Sequence, residues 1–125
     1  MKLSVGIITY NEEQIIARTI DSVKNIADEI VIIDSNSTDK TVEIAKSKGA
    51  KVITQSWLGY GKQKNFMIDN CSGEWILSID ADEIISQELA NEISEEIKKE
   101  NNISEVYELR EKVVCFGTIS SYHKF

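Results

Sequence analysis

At 125 residues with a formal net charge of −7, the chain is the size of one domain and should bury roughly two-thirds of the surface its unfolded form exposes. The acidic balance, with no clustered Lys and Arg, excludes an ordinary nucleic-acid binder, which needs a basic stripe against the phosphates. No apolar run reaches the length of a membrane-spanning helix, and Met1 to Val5 lacks the apolar core of a signal peptide, so the expected location is the cytoplasm, with Cys71 and Cys115 as reduced thiols.

In chain order, Leu3 to Thr9 and Glu29 to Asp34 are β-branched runs of the kind found in parallel strands covered on both faces. Between them Ile16, Ile20, Val23 and Ala27 recur at helical spacing, with Asn11 and Gln14 placed to cap the helix start. Ser37-Thr38-Asp39 then opens a helix through Val42 and Ala45, Gly49 ends it, and Lys51 to Thr54 supplies a third strand. A helix over about 61–70 and a strand from Glu74 to Ile79 follow. Leu89, Ile93 and Ile97 form the apolar stripe of an otherwise charged helix over Gln87 to Glu100. Val106 to Gly117 is rich in Val, Tyr, Leu and Phe and reads as one or two strands; Ser120 to Phe125 reads as neither a capped element nor a disordered tail. The alternation predicts an α/β fold, a mostly parallel, doubly wound sheet with helices on both faces.

In such sheets ligands bind beyond the carboxyl ends of the strands. Three ends carry polar groups: Thr9-Tyr10-Asn11-Glu12, Asp34-Ser35-Asn36-Ser37 and Asp80-Ala81-Asp82-Glu83. Two carboxylates flanking one small residue suit a hard divalent cation. The first turn has no glycine, so the loop that admits a dinucleotide's pyrophosphate is missing. A metal held by Asp80 and Asp82 would neutralise a diphosphate instead, with Lys62 or Lys64 as a second positive charge.

Three blocks, Ile7 to Glu13, Glu29 to Asp39 and Asp80 to Glu83, resemble glycosyltransferase family 2 in order and spacing. Trp57 to Asn65 with Trp75-Ile76-Leu77 resembles, more narrowly, the lipopolysaccharide core glucosyltransferases. The resemblance implies a GT-A fold, a nucleotide-diphosphate sugar donor, Mg2+ or Mn2+ as cofactor and inversion at the anomeric carbon. It places Thr9, Tyr10, Asn11 and Glu12 along the nucleoside, Asp34 against a base with an imide N–H such as uracil, and Lys62 and Asn65 on the diphosphate or ribose. It puts Asp80, Ala81 and Asp82 at the ribose and metal, and gives Asp39 the ordering of a helix start. It further implies that residues 1–125 form the amino-terminal donor half. The acceptor part and the general base are then expected beyond Phe125, and Glu83, Glu108 and Glu111 are the local carboxylates that could substitute. The acceptor would be a glycan or lipid-linked, which brings the full enzyme to the inner face of the cytoplasmic membrane.

Each assignment has a structural competitor. Asp80 and Asp82 could cap the next helix; Asp34 could form a turn; Tyr10, Trp57 and Trp75 could be core anchors; His123 could be an exposed bystander. A noncatalytic nucleotide-sugar-binding remnant and an aspartate-based phosphoryl-transfer domain are the competing functions.

Overall fold

The computed structural model describes residues 2–100, 112–115 and 118–122. The apolar runs become the parallel strands β1 (Leu3–Thr9), β2 (Glu29–Asp34), β3 (Lys51–Thr54) and β4 (Trp75–Asp80). Helices α1 (Ile16–Val23), α2 (Thr41–Ser47) and α3 (Tyr60–Asp69) alternate with them, and α4 (Gln87–Glu100) follows β4. Two strands close the sheet: β5 (Lys112–Cys115) lies parallel to β4, and β6 (Thr118–Tyr122) lies antiparallel to β5. The order is β3-β2-β1-β4-β5-β6.

The first three strands step outward in one direction and β4 returns to the other side of β1. That reversal makes the β1/β4 boundary the switch point at which open sheets of this kind leave a crevice. Register then decides which residues meet there: Thr9 lies opposite Asp34, and Ile8 opposite Asp80.

Alternate strand residues serve two cores. On one face Val5, Ile7, Ile32, Leu77 and Ile79 pack against Ile16, Ile20 and Val23 of α1, Ala45 of α2 and Ile93 of α4. On the other, Val31, Ile33 and Ile76 pack against Met67 and Ile68 of α3. Gly6 lets α3 come this close, since a Cβ there would sit 1.9 Å from Met67 Sδ.

Three local readings need correction. Helix α1 starts at Ile16 with no side-chain cap; the Glu12 carbonyl takes the Ile15 and Ile16 N–H groups, and Asn11 works elsewhere. Helix α1 also ends at Val23, short of Ala27. Thr118–Tyr122 is a strand, although Ser120 to Tyr122 carried no strand signal, because pairing with β5 outweighs the weak propensity of Ser120 and Ser121. Residues 106–111 and 116–117 of the expected strand region, with Glu108, Glu111 and His123, lie outside the described residues.

Candidate functional site

The ends of β1 and β2 are laced into one unit. Thr9 is buried and donates its hydroxyl to Asp34 Oδ1 at 2.7 Å. Asp34 also accepts the Ser37 hydroxyl at 2.6 Å and the Ser37 N–H at 2.8 Å, and it is only 1% exposed. The carboxylate therefore does form the turn of Asp34-Ser35-Asn36-Ser37. Asn11, in the left-handed region at φ 51° where Asn is tolerated, donates its N–H to Ser37 Oγ and accepts the Thr38 N–H, both at 2.8 Å. Glu12 donates its N–H to Thr41 Oγ1 at 2.8 Å, while Asp39 takes the Thr41 and Glu13 N–H groups. Asp39 thus orders the start of α2, as expected.

The end of β4 is arranged differently. Asp80 and Asp82 are exposed and Ala81 between them is buried. The Ala81 carbonyl accepts the Thr19 hydroxyl at 2.5 Å, and Ile85 N–H reaches Ser22 Oγ at 3.0 Å, so α1 holds the acidic loop from behind. Glu83 Oε1 accepts the Asp80 N–H at 2.6 Å. Ser86 Oγ takes the Leu89 N–H at the start of α4, so the aspartates are not its caps.

Two carboxyls record the crowding. Burial and then the charges of Asp82 and Asp39 push Glu12 above the usual carboxylate range, against a hydrogen bond from Tyr10 N–H. Burial also raises Glu83, with Asp80 and Asp82 adding to it and the Asp80 N–H and Lys64 opposing. A region where carboxyls repel one another is a region that favours a cation. Among the described residues no group of three His, Cys, Asp or Glu converges on one point as a closed cage would require. Two exposed carboxylates instead fit an open site, in which Mg2+ or Mn2+ keeps coordination positions for water and phosphate oxygens.

Helix α3 supplies the remaining pieces. Lys62 is exposed, whereas Lys64 is buried. Lys64 Nζ donates to Tyr60 Oη at 3.0 Å and lies 4.9 Å from the centre of that ring, and its charge acts on Glu83. It is Lys64, then, whose charge reaches the acidic loop. Asn65 holds its amide oxygen buried without a hydrogen bond among the described residues. Gln63, 0% exposed, bonds to Ser35, Gln55 and Leu58.

Tyr10, Ser35 and Trp57 line a cavity of about 390 Å³. Tyr10 and Trp57 are each 56% exposed, while Trp75 is 2% exposed. Only Trp75 is therefore the anchor the sequence suggested for both tryptophans, and Tyr10 is no core residue. Ser35 and Gln63 escaped the sequence reading altogether. The available signal was in α3, where polar Gln63 and Lys64 stand one turn before Met67 and Ile68 on the buried side.

The sheet with helices on both faces and acidic groups at the switch point defines an open, doubly wound α/β class whose crevice lies at the carboxyl ends of its strands. The pattern of "Glycosyl transferase family 2" matches residues 4–123, and the chain belongs to that family. An uncharacterized glycosyltransferase of Rickettsia typhi is 59% identical over 74% of this chain and 32% of its own length. The lipopolysaccharide core biosynthesis glycosyltransferase LpsC of Rhizobium meliloti is 38% identical over 71% of this chain and 34% of its own. Among solved structures, glucosyl-3-phosphoglycerate synthase from Mycobacterium tuberculosis in complex with Mn2+ and UDP-glucose superposes with a TM-score of 0.58 at 30% identity, over 65% of this chain and 33% of the other. The fold is that of the GT-A glycosyltransferases, and the chain spans about a third of the length of the curated relatives it matches.

Proposed function

We propose that residues 1–125 are the donor-binding part of a glycosyltransferase that takes a sugar from a nucleotide diphosphate, with uridine as the nucleoside, and passes it with inversion to a cell-envelope glycan or lipid-linked acceptor. The observation that carries this reading is the convergence of the β1, β2 and β4 ends at the switch point of a family 2 chain. Support for the donor class comes from the mycobacterial synthase, whose complex holds Mn2+ and UDP-glucose. Support for the acceptor class comes from the relative named for lipopolysaccharide core biosynthesis.

Asp80 and Asp82 would hold the cation, Mg2+ or Mn2+. When bound, it would stabilise negative charge on the departing diphosphate oxygens. Lys64 would add a positive charge beside them, and Lys62 a second one from the exposed first turn of α3. Tyr10, Asn11 and Glu12 would border the nucleoside. Thr9 and Asp34 support that border from beneath; a direct contact between Asp34 and the base would use the remaining acceptor position of Oδ2, which among the described residues takes only the Ser37 N–H. Asn65, with an unused acceptor, would take a ribose or diphosphate-side donor. Ala81 spaces the two aspartates and faces the core. The general base belongs to the acceptor part, outside these residues, and the reaction would take place in the cytoplasm at the inner face of the membrane. Among the described residues no helix is long and apolar enough to cross a membrane.

The test is calorimetric titration with UDP, with and without Mn2+, on the wild-type chain and on Asp82→Ala. We expect Mn2+ to tighten UDP binding in the wild type and to do so far less in the variant. UDP affinity indifferent to both metal and substitution would end this reading.

A further inference from the structure

The acidic loop between β4 and α4 leaves Asp80 and Asp82 exposed, with Ala81 and Ile85 buried. The two aspartates are placed by different means. Asp80 is the last residue of β4, and its register opposite Ile8 of β1 fixes its backbone. Asp82 has left the strand, so its position depends on the peptide unit before it. That unit is planar and carries the Ala81 carbonyl on one side and the Asp82 nitrogen on the other. Whatever holds the carbonyl therefore also orients the plane to which Asp82 is attached.

Helix α1 holds it. Thr19 is buried, and its hydroxyl has one proton to give. Two carbonyls lie within reach, Ile15 at 3.3 Å and Ala81 at 2.5 Å, and the nearer takes the proton, since a hydroxyl donates best at about 2.7–2.8 Å and poorly beyond 3 Å. Three residues on, and so on the same side of the helix, Ser22 donates to the Thr19 carbonyl at 2.7 Å and accepts the Ile85 N–H at 3.0 Å. The two hydroxyls thus grip the loop before and after Asp82. Helix α1 itself has no use for them, because Ser and Thr are neutral to unfavourable in a helix interior; the loop accounts for their presence. The same helix begins on the Glu12 carbonyl, which takes the Ile15 and Ile16 N–H groups. One helix therefore joins the end of β1 to the acidic loop.

We propose that Thr19 and Ser22 are positioning residues for the divalent cation: by holding the Ala81 carbonyl and the Ile85 N–H, they set where the Asp82 carboxylate stands relative to that of Asp80. This rests on the donor reading above and adds to it a support that touches no ligand. It also gives α1 a coupling role, since the helix joins the edge where the nucleoside would lie to the loop where the cation would be held. Loss of the hydroxyls weakens the help that metal and nucleotide give each other, which is the same in both directions, and leaves the metal-free affinity for the nucleotide alone.

The experiment measures UDP affinity by calorimetry with and without Mn2+, and takes the ratio of the two, on the wild-type chain, Thr19→Val, Thr19→Ser and Ser22→Ala. Thr19→Val keeps the branched shape and removes the proton, so the Ala81 carbonyl loses its donor. It should cut the ratio by about tenfold, the lower end of what lost support behind a metal site costs, or to unity where the wild-type ratio is smaller, with UDP affinity in the absence of metal unchanged. Thr19→Ser returns the hydroxyl and should restore the ratio. Ser22→Ala should lower it as well, by less than Thr19→Val. A Thr19 that served only the fold would weaken UDP with and without metal alike. That result, or a wild-type ratio in Thr19→Val, would overturn the role of Thr19; a wild-type ratio in Ser22→Ala would overturn that of Ser22. Should Thr19→Val fail to fold, Ser22→Ala, at a half-buried position, decides the proposal alone. Each of these results leaves the donor reading standing. A wild-type chain whose UDP binding ignores Mn2+ would overturn both.

Discussion

The two ends of the sheet handle the same chemical group in opposite ways. At the amino-terminal edge of the strands, Glu29 accepts the hydroxyls of Ser4 and Ser72 and the Ser72 N–H, at 2.5, 2.8 and 2.6 Å, and Ser4 Oγ in turn accepts the Gly73 N–H at 2.8 Å. Burial works to raise Glu29, but these donors and the nearby Lys2 outweigh it and hold the group below its usual range. At the carboxyl-terminal edge, Glu12 and Glu83 are raised by burial and by neighbouring aspartates. The amino-terminal edge holds Glu29 by folding; at the carboxyl-terminal edge Asp34 and Asp39 are held in the same way, while Glu12 and Glu83 stay crowded by neighbouring carboxylates. That contrast separates a structural knot from a ligand-ready edge without any appeal to motifs.

The comparison can be broken most forcefully at the knot. Glu29→Ala removes a charged acceptor from its donors, and hydrogen bonds to charged groups contribute about 1.5–3 kcal/mol. We expect urea unfolding to show a loss of about 2 kcal/mol, and a loss below 0.5 kcal/mol would dissolve the distinction between the edges. Acid titration sharpens it next. Glu12 and Glu83, raised, bind protons more readily folded than unfolded, so their share of stability rises as pH falls from neutrality through the raised values toward the ordinary one. Glu29, lowered, acts in reverse: its contribution is complete above its ordinary value and is lost as pH falls through the depressed one. Stability against pH should therefore rise slightly and then fall. Glu29→Gln should flatten the fall and Glu12→Gln the rise.

A smaller effect of opposite sign belongs to the ligand-ready edge. Glu12→Gln removes a repelling charge and should raise stability by about 0.5 kcal/mol, the modest share left after solvent screening; a clear loss would mean that the carboxylate is structurally satisfied after all. The least effect is expected far from either edge, where Lys48 and Asp21 pair at 2.9 Å on the surface. Lys48→Ala should cost no more than about 0.5 kcal/mol in the same unfolding measurement.

The sequence made the fold legible where strands are buried on both faces. Leu3–Thr9 and Glu29–Asp34 occur with the limits their β-branched runs suggest, because full burial leaves little freedom in composition. It was less legible at the site, where side chains answer to partners distant in the chain. Asn11 looked like a helix cap by spacing, yet it binds Ser37 and Thr38 at the end of another strand. Trp57 and Trp75 look alike as letters; only the braced loop and the strand distinguish an exposed wall from an anchor. Lys62 and Lys64 lie two residues apart, and the turn of α3 alone decides which is buried beside Tyr60 and acts on the acidic loop. Gln63 reads as surface in any pattern, since burial of an amide becomes tolerable only once its three partners are in place.

Ala81 points into the core, with its carbonyl clamped by Thr19 of α1. A bulkier residue there would press on α1 and tilt the loop, re-aiming both aspartates without altering either. The interior can thus serve as a dial for the acidic edge, adjustable by substitutions that no ligand would ever touch. The middle letter of Asp-Ala-Asp is written by the packing behind it.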